Sequence, residues 1–178
     1  MVEGTLIRSK RLCLSPLSLD DVDDFFAITN EEAIVLNTAT LPWPYLKSDT
    51  RERITKALKT DAVQQCFLGI RLGNELCGAI SYMQMPQIPD RYEIGYHIAR
   101  HYWGQGFASE AVQAFLDYMH RTLGTDITIG AGHWADNPAS GKVLRKCGFV
   151  KIGESEVFSK ARNAMTPSID YEWRHPQP

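Results

Sequence analysis

Apolar positions along the chain switch between a spacing of two and a spacing of three to four, and the switches divide it into strands and helices. Alternation from Arg11 to Leu17 predicts a first strand. Ser18-Leu19-Asp20-Asp21 then reads as a capping box opening an amphipathic helix with Val22, Phe25, Phe26 and Ile28 inward. Leu41-Pro42-Trp43-Pro44-Tyr45 is a loop, since each proline fixes its own φ and drives the preceding residue toward extended backbone. A second helix is predicted from Asp49 to Thr60.

Phe67 to Leu72 and Leu76 to Met83 flank Gly73-Asn74-Glu75 as a hairpin, and after a loop at Pro86 to Pro89 a third antiparallel strand runs from Tyr92 to Ala99. His101 to Gly106 is loop. Ala108, Ala111, Phe115 and Met119 give helical spacing from Phe107 to Leu123, with Gly124 as the stop. A strand follows at Ile127 to Ala131, and a helix begins at Asn137-Pro138, with Asn as N-cap and Pro at the first helical position, and ends at Gly148. Phe149 to Phe158 and Ile169 to Trp173 complete the sheet. The predicted order is a strand, two helices, three antiparallel strands, a helix, a strand, a helix and two strands, with no internal repeat or linker.

Length and composition narrow the class. The 178 residues suit one domain spanning 1–178, 44% of them are hydrophobic and 22% charged, and the net charge is −2. That balance excludes a disordered chain and a direct nucleic-acid binder. Without a basic segment followed by an apolar one at the start, or any apolar run long enough for a bilayer, the expectation is a cytoplasmic protein with no membrane contact. Cys13, Cys66, Cys77 and Cys147 are scattered, which suggests small buried hydrophobes in place of a disulfide framework or zinc cluster.

Chemistry concentrates between residues 91 and 149. Tyr92-Glu93-Ile94-Gly95-Tyr96-His97-Ile98-Ala99 runs into Trp103-Gly104-Gln105-Gly106-Phe107-Ala108-Ser109-Glu110-Ala111, a strand meeting a small-residue turn that opens a helix. Gly104 and Gly106 allow close approach of a ligand, and the free amides and dipole of the helix start favour an anion such as a pyrophosphate. About thirty residues on stand Asn137-Pro138-Ala139-Ser140 and Leu144-Arg145-Lys146-Cys147-Gly148-Phe149.

Together these stretches resemble the GNAT superfamily of acetyl-coenzyme A dependent N-acetyltransferases, whose pyrophosphate loop reads Q/R-x-x-G-x-G/A and whose next helix carries N-x-x-S/A and ends in G-F. The resemblance covers nearly the whole chain. It implies an α+β fold, with a mixed, mostly antiparallel central sheet and helices on both faces. The wording from Glu93 to Tyr96, from Trp103 to Ala111 and from Asn137 to Ser140 resembles the branch that acetylates serine or alanine amino termini of ribosomal proteins. Trp103 stands at the Q/R position, which that branch allows because backbone amides bind the phosphates. The tyrosine that many members place in the last helix is replaced here by Leu144, which cannot protonate a thiolate.

The resemblance implies acetyl-coenzyme A as co-substrate and no metal. It places Ile98, Ala99, Arg100, Trp103, Gly104, Gln105, Gly106, Phe107, Ala108 and Ser109 along the cofactor, with an amide near Ile98 polarising the thioester carbonyl. It also assigns Asn137 to the pantetheine or a water, Ser140 to the departing sulfur, and Arg145 to the 3′-phosphate in preference to Lys142 or Lys146. An α-amino group is easier to deprotonate than lysine, so a modest base suffices. Glu93 is the candidate, on the strand face of Gly95 and His97. Glu154 and Glu156 are weaker ones.

Each of these has a plainer role. Ser140 at a first helical turn can bond to backbone, Glu93 can be an ion-pair partner, and Arg145 can belong to a solvated face. Trp43, Tyr45 and Trp134 either line an acceptor pocket or cover the core edge. His97 and His101 do not share a face, and a metal needs three or four ligands. The leading expectation is an amino-terminal acetyltransferase working on a protein or peptide, as a monomer or homodimer. A small-amine acetyltransferase (polyamine, aminoglycoside or amino acid) and a non-catalytic acyl-coenzyme A sensor are the alternatives.

Overall fold

The computed structural model describes residues 5–174. Eight strands form one sheet in the order β1-β2-β3-β4-β5-β6-β8-β7. They are β1 Ile7–Arg8, β2 Leu12–Pro16, β3 Gln65–Leu72, β4 Glu75–Gln84, β5 Arg91–Ile98, β6 Thr128–Trp134, β7 Val150–Ser159 and β8 Ala164–Trp173. The helices are α1 Val22–Thr29, α2 Glu32–Val35, α3 Lys47–Lys59, α4 Phe107–Leu123 and α5 Pro138–Lys146. Every strand pairing is antiparallel except that of β5 with β6.

Alternation along the strands divides their side chains between two cores. On one face Cys66, Leu68, Ile70, Ile80, Tyr82, Tyr92, Ile94, Ile98, Ile129 and Ala131 pack with Phe107, Val112, Phe115, Leu116 and Met119 of α4 and Leu144 of α5. On the other, Phe67, Leu76 and Ala79 meet Val22 and Phe25 of α1 and Ile54 of α3. Burying one apolar stripe of each helix against the sheet is the main stabilising term. Three of the four cysteines are buried in this way, and all four are free thiols.

Most predicted elements fall within a few residues of their observed bounds, and α4 matches at both ends. The Ser18 capping box forms with Asp21, but the first turn it opens is a 3-10 turn over 19–21 before α1 begins. Four elements differ from expectation. The two-residue β1 and the single turn of α2 are too short to leave a periodic signal. Strand β6 runs past Ala131 to Trp134 because it ladders with β8 from Ile129–Trp173 to Trp134–Ser168, and β8 starts at Ala164 instead of Ile169 because β7 pairs with it as far as Ser159–Ala164.

The segment between α1 and α3 is bound to the opposite edge of the molecule. Lys160 N–H donates to the Ala39 carbonyl and Arg162 Nε to the Leu36 carbonyl, at 3.0 Å in both cases. Val35, Leu41 and Tyr45 form a small third core beside Phe26 and Ala161. The segment thus spans the α1 side of the sheet from α1 to the β7–β8 turn.

Gly78 lies where β4 passes β5 most tightly, and a Cβ there would overlap the backbone oxygen of His97. Gly78→Ala is expected to lower unfolding free energy by about 1–3 kcal/mol in denaturant titration. Gly153→Ala, which faces open space, should leave it nearly unchanged.

Candidate active site

The parallel pairing of β5 with β6 covers Arg91–Thr128, Tyr92–Ile129 and Glu93–Gly130 and then stops, although both strands continue. Beyond that point β5 keeps its ladder with β4 as far as Ile98, and β6 keeps its ladder with β8 as far as Trp134. The two strands therefore diverge and leave a wedge in the sheet. Asp90 accepts from Thr128 of β6, while Ala99 N–H donates to Cys77 beside β4. By alternation, the peptide groups of Tyr96 and Ile98 face the wedge. An exposed backbone donor of this kind can polarise a carbonyl placed in the opening.

At the far end of β5 the chain turns through Arg100–Tyr102 and reaches α4 by two left-handed glycines, Gly104 at φ 77° and Gly106 at φ 80°. These φ values demand glycine, and Gly104 has open space beside it. The first intrahelical bond runs from Glu110 N–H to the Gly106 carbonyl at 3.1 Å, so the amides of Phe107, Ala108 and Ser109 precede the ladder. Free amides at a helix start favour an anion. Glu110, in this first turn, is directed away, accepting from Ser9 Oγ and from Arg11 at 2.7 Å. These bonds hold its carboxyl below the usual range, although burial opposes them.

Trp103 remains 49% exposed, and its indole N–H donates to the Ile98 carbonyl at 2.7 Å. The residue thus fastens the loop to the end of the wedge. Arg100 is exposed and Ala99 is buried. Gln105 gives its carbonyl to Arg11 Nη2 at 3.1 Å and its amide to the His101 carbonyl at 3.1 Å.

Helix α5 closes the same face. Asn137 is its N-cap, with the side-chain oxygen accepting from Ser140 N–H at 3.4 Å. Ser140 Oγ lies 2.9 Å from the Tyr96 hydroxyl, so a second hydroxyl from β5 stands beside the one expected from the helix. Burial pushes the Tyr96 phenol well above its ordinary pKa and keeps it protonated. If Tyr96 donates to Ser140 Oγ, the serine hydrogen is free to point at a leaving group. Leu144 is fully buried in the core. Arg145 Nη1 donates to the Tyr171 hydroxyl at 2.9 Å.

Tyr96 had no role in the sequence-based expectations. It was legible only as the even-numbered neighbour of Glu93, on the opposite face, and nothing local placed Ser140 against it.

Glu93 lies on the other face, toward α1 and α3. Its carboxylate is 36% exposed and 3.1 Å from Arg91, which also reaches Glu172 at 3.1 Å. Burial raises its pKa, against the lowering effect of Arg91. The ion pair and a role as base are compatible, since a raised carboxylate pKa favours proton acceptance. Gly130 makes the position possible, because a Cβ there would overlap the carboxylate. Glu154 is paired with Lys151 on the surface at 2.6 Å and Glu156 is exposed on β7.

The same face holds His97, whose Nε2 is 3.1 Å from Thr29 Oγ1. Burial and the nearby Arg53 charge lower its pKa to about 3. His101 is exposed elsewhere, 3.8 Å from Glu75. Trp134 is buried here with the Arg162 guanidinium 5.6 Å from its ring, Tyr45 is buried beside Thr50, and Trp43 is exposed. No group of metal-ligating side chains occurs among the described residues.

A wedge between parallel central strands, free amides at one helix start and a hydroxyl pair from Tyr96 and Ser140 are thus gathered at one end of the sheet. The family model for the acetyltransferase (GNAT) domain matches residues 11–150, and the chain belongs to that family. It is a GNAT-type N-acetyltransferase.

An uncharacterized N-acetyltransferase of Bacillus subtilis, YoaA, is 31% identical over 158 residues, covering 83% of this chain and 84% of that protein. Among solved structures, RimL, a ribosomal L7/L12 alpha-N-protein acetyltransferase in complex with coenzyme A, superposes with a TM-score of 0.82 at 22% identity, covering 96% of this chain and 98% of that one. The ribosomal-protein-S5-alanine acetyltransferase from Vibrio fischeri gives 0.81 at 18%, covering 98% and 100%.

Gly130→Ala is expected to displace the Glu93 carboxylate into solvent. Turnover should fall at least about tenfold and the acid limb of the rate profile should move to lower pH, because a solvated carboxylate loses the upward shift. The unfolding midpoint should change little, which steady-state kinetics and thermal melts together will check.

Proposed function

We propose that the protein transfers the acetyl group of acetyl-coenzyme A to the α-amino group at a protein amino terminus, a ribosomal protein being the leading acceptor. The observation that carries this reading is the wedge itself. It has the anion cradle and the Tyr96–Ser140 pair on one face and Glu93 on the other. Cofactor and amine can therefore enter from opposite faces and meet at the peptide groups of Tyr96 and Ile98.

The free amides of Phe107, Ala108 and Ser109, with Gly104 and Gly106, would hold the pyrophosphate, and Trp103 keeps that loop in register with Ile98. The amine nitrogen attacks the thioester carbonyl, the oxygen gains charge beside the Ile98 amide, and the carbon–sulfur bond then breaks. The amine proton passes to Glu93 directly or through one water. The departing thiolate takes a hydrogen bond or proton from Ser140, with Tyr96 behind it. Asn137 sets the frame by capping the helix that presents Ser140.

An amino terminus suits this site because its pKa is near 8, within reach of a single carboxylate base. Exposed Gly95 and Gly132 leave the acceptor face open enough for an extended peptide. The structural neighbours named for ribosomal-protein acetylation support the same reading. Such an acceptor places the reaction in the cytoplasm, and no helix among the described residues is long and apolar enough to cross a membrane.

Thiol release from acetyl-coenzyme A should occur with a short peptide carrying a free N-terminal serine or alanine and be absent with its N-blocked, lysine-containing twin. Ser140→Ala should lower turnover about tenfold or more while cofactor affinity is kept. Release with spermidine alone would move the acceptor to small amines, and cofactor binding without any release would indicate a sensor.

A further inference from the structure

Four arginines of the described residues are partly buried, and three of them hold a carboxylate. Arg71 pairs with Asp21, Arg91 with Glu93 and Glu172, and Arg162 with Asp136. The fourth, Arg53 of α3, forms no ion pair among the described residues. Its one hydrogen bond among them is long, from Nη1 to Thr40 Oγ1 at 3.4 Å. Its Cζ sits 4.9 Å from the centroid of the Phe67 ring. Two acids share its helix: Asp49 is occupied in capping the helix start, where it accepts from Leu46 N–H at 2.8 Å, and Glu52, next to it in sequence, is exposed to solvent.

A guanidinium has five donors, and withdrawing it from water without an anion is costly. The neighbouring side chains do not repay that cost. Thr40 and Tyr45 are neutral acceptors at best, and His97 titrates far below neutrality, so it is uncharged at pH 7 and supplies no negative charge. The position is also informative. Phe67 packs edge-on against Phe25, and Phe25 against His97, with ring centroids 5.7 and 5.5 Å apart. Arg53 therefore borders the acceptor face of the wedge, at the level of His97. Four residues of strand separate His97 from Glu93, about 13 Å, so Arg53 stands roughly one or two extended residues from an amine held near Gly95.

We infer that Arg53 is a specificity determinant that binds a carboxylate of the acceptor, set a short way along from the amine being acetylated. For the amino-terminal reading, on which this inference rests, that carboxylate is an acidic side chain at the second or third position of the peptide. A planar carboxylate accepts two parallel N–H bonds from a guanidinium, and such charge-assisted pairs are the stronger hydrogen bonds of proteins. A cation at this place also disfavours polyamine acceptors.

The test compares three acceptors with the full chain and acetyl-coenzyme A: a peptide beginning Ser-Glu-Glu, its Ser-Gln-Gln twin, and free glutamate. The acidic peptide should exceed the neutral twin by about tenfold to a hundredfold in kcat/KM. Arg53→Gln should erase that ratio while leaving the rate with the neutral twin close to wild type, and Arg53→Lys should restore part of it. Equal rates for the two peptides with the wild-type protein would overturn the inference while leaving amino-terminal acetylation standing, and need no variant to fold. Turnover of glutamate alone, lost in Arg53→Gln, would support the carboxylate site and overturn the peptide reading. Turnover of none of the three would overturn both.

Discussion

Strands β5 and β6 each have a stronger claim on another neighbour. β5 is laddered to β4 along its length and β6 to β8 along its own, and only three residue pairs join them to each other before the twist of the sheet carries them apart. Everything proposed for the site depends on that separation. It leaves the peptide groups of Tyr96 and Ile98 without a strand partner in the middle of the sheet. In the proposed mechanism the thioester carbonyl would accept from such a donor.

The surrounding residues hold the wedge open and keep its two faces distinct. Gly130 admits the Glu93 carboxylate against β6, Trp103 ties the glycine loop to the Ile98 carbonyl, and the Tyr96–Ser140 pair links β5 to α5 across the opening. The segment between α1 and α3, fastened to the β7–β8 turn through Leu36 and Ala39, walls the acceptor face. Cofactor recognition uses backbone geometry, which many sequences can supply. In the reading proposed here, acceptor recognition falls to side chains on that face, Arg53 of α3 among them.

The elements that depend on local pattern were legible in the sequence. The helix from Phe107 to Leu123 follows from its apolar spacing and its flanking glycines, and the Asn137-Pro138 start of α5 follows from its capping chemistry. The turn through Gly104 and Gly106 into that helix was legible for the same reason. What depended on distant partners was not legible. The extension of β6 comes from β8 and that of β8 from β7, and the Tyr96–Ser140 contact joins residues 44 positions apart. Arg53 carries no local signal in the sequence, because a missing counter-ion is a property of the folded surroundings.

Backbone amide hydrogen exchange, measured on the protein with and without acetyl-coenzyme A, reports on the wedge directly. Slowed exchange at Tyr96 and Ile98 together with residues 104 to 109, and little change in the amides of β3, is the predicted pattern. Protection of the glycine loop alone, with Tyr96 and Ile98 exchanging as fast as in the free protein, would contradict the claim that the divergence of β5 and β6 receives the acyl group.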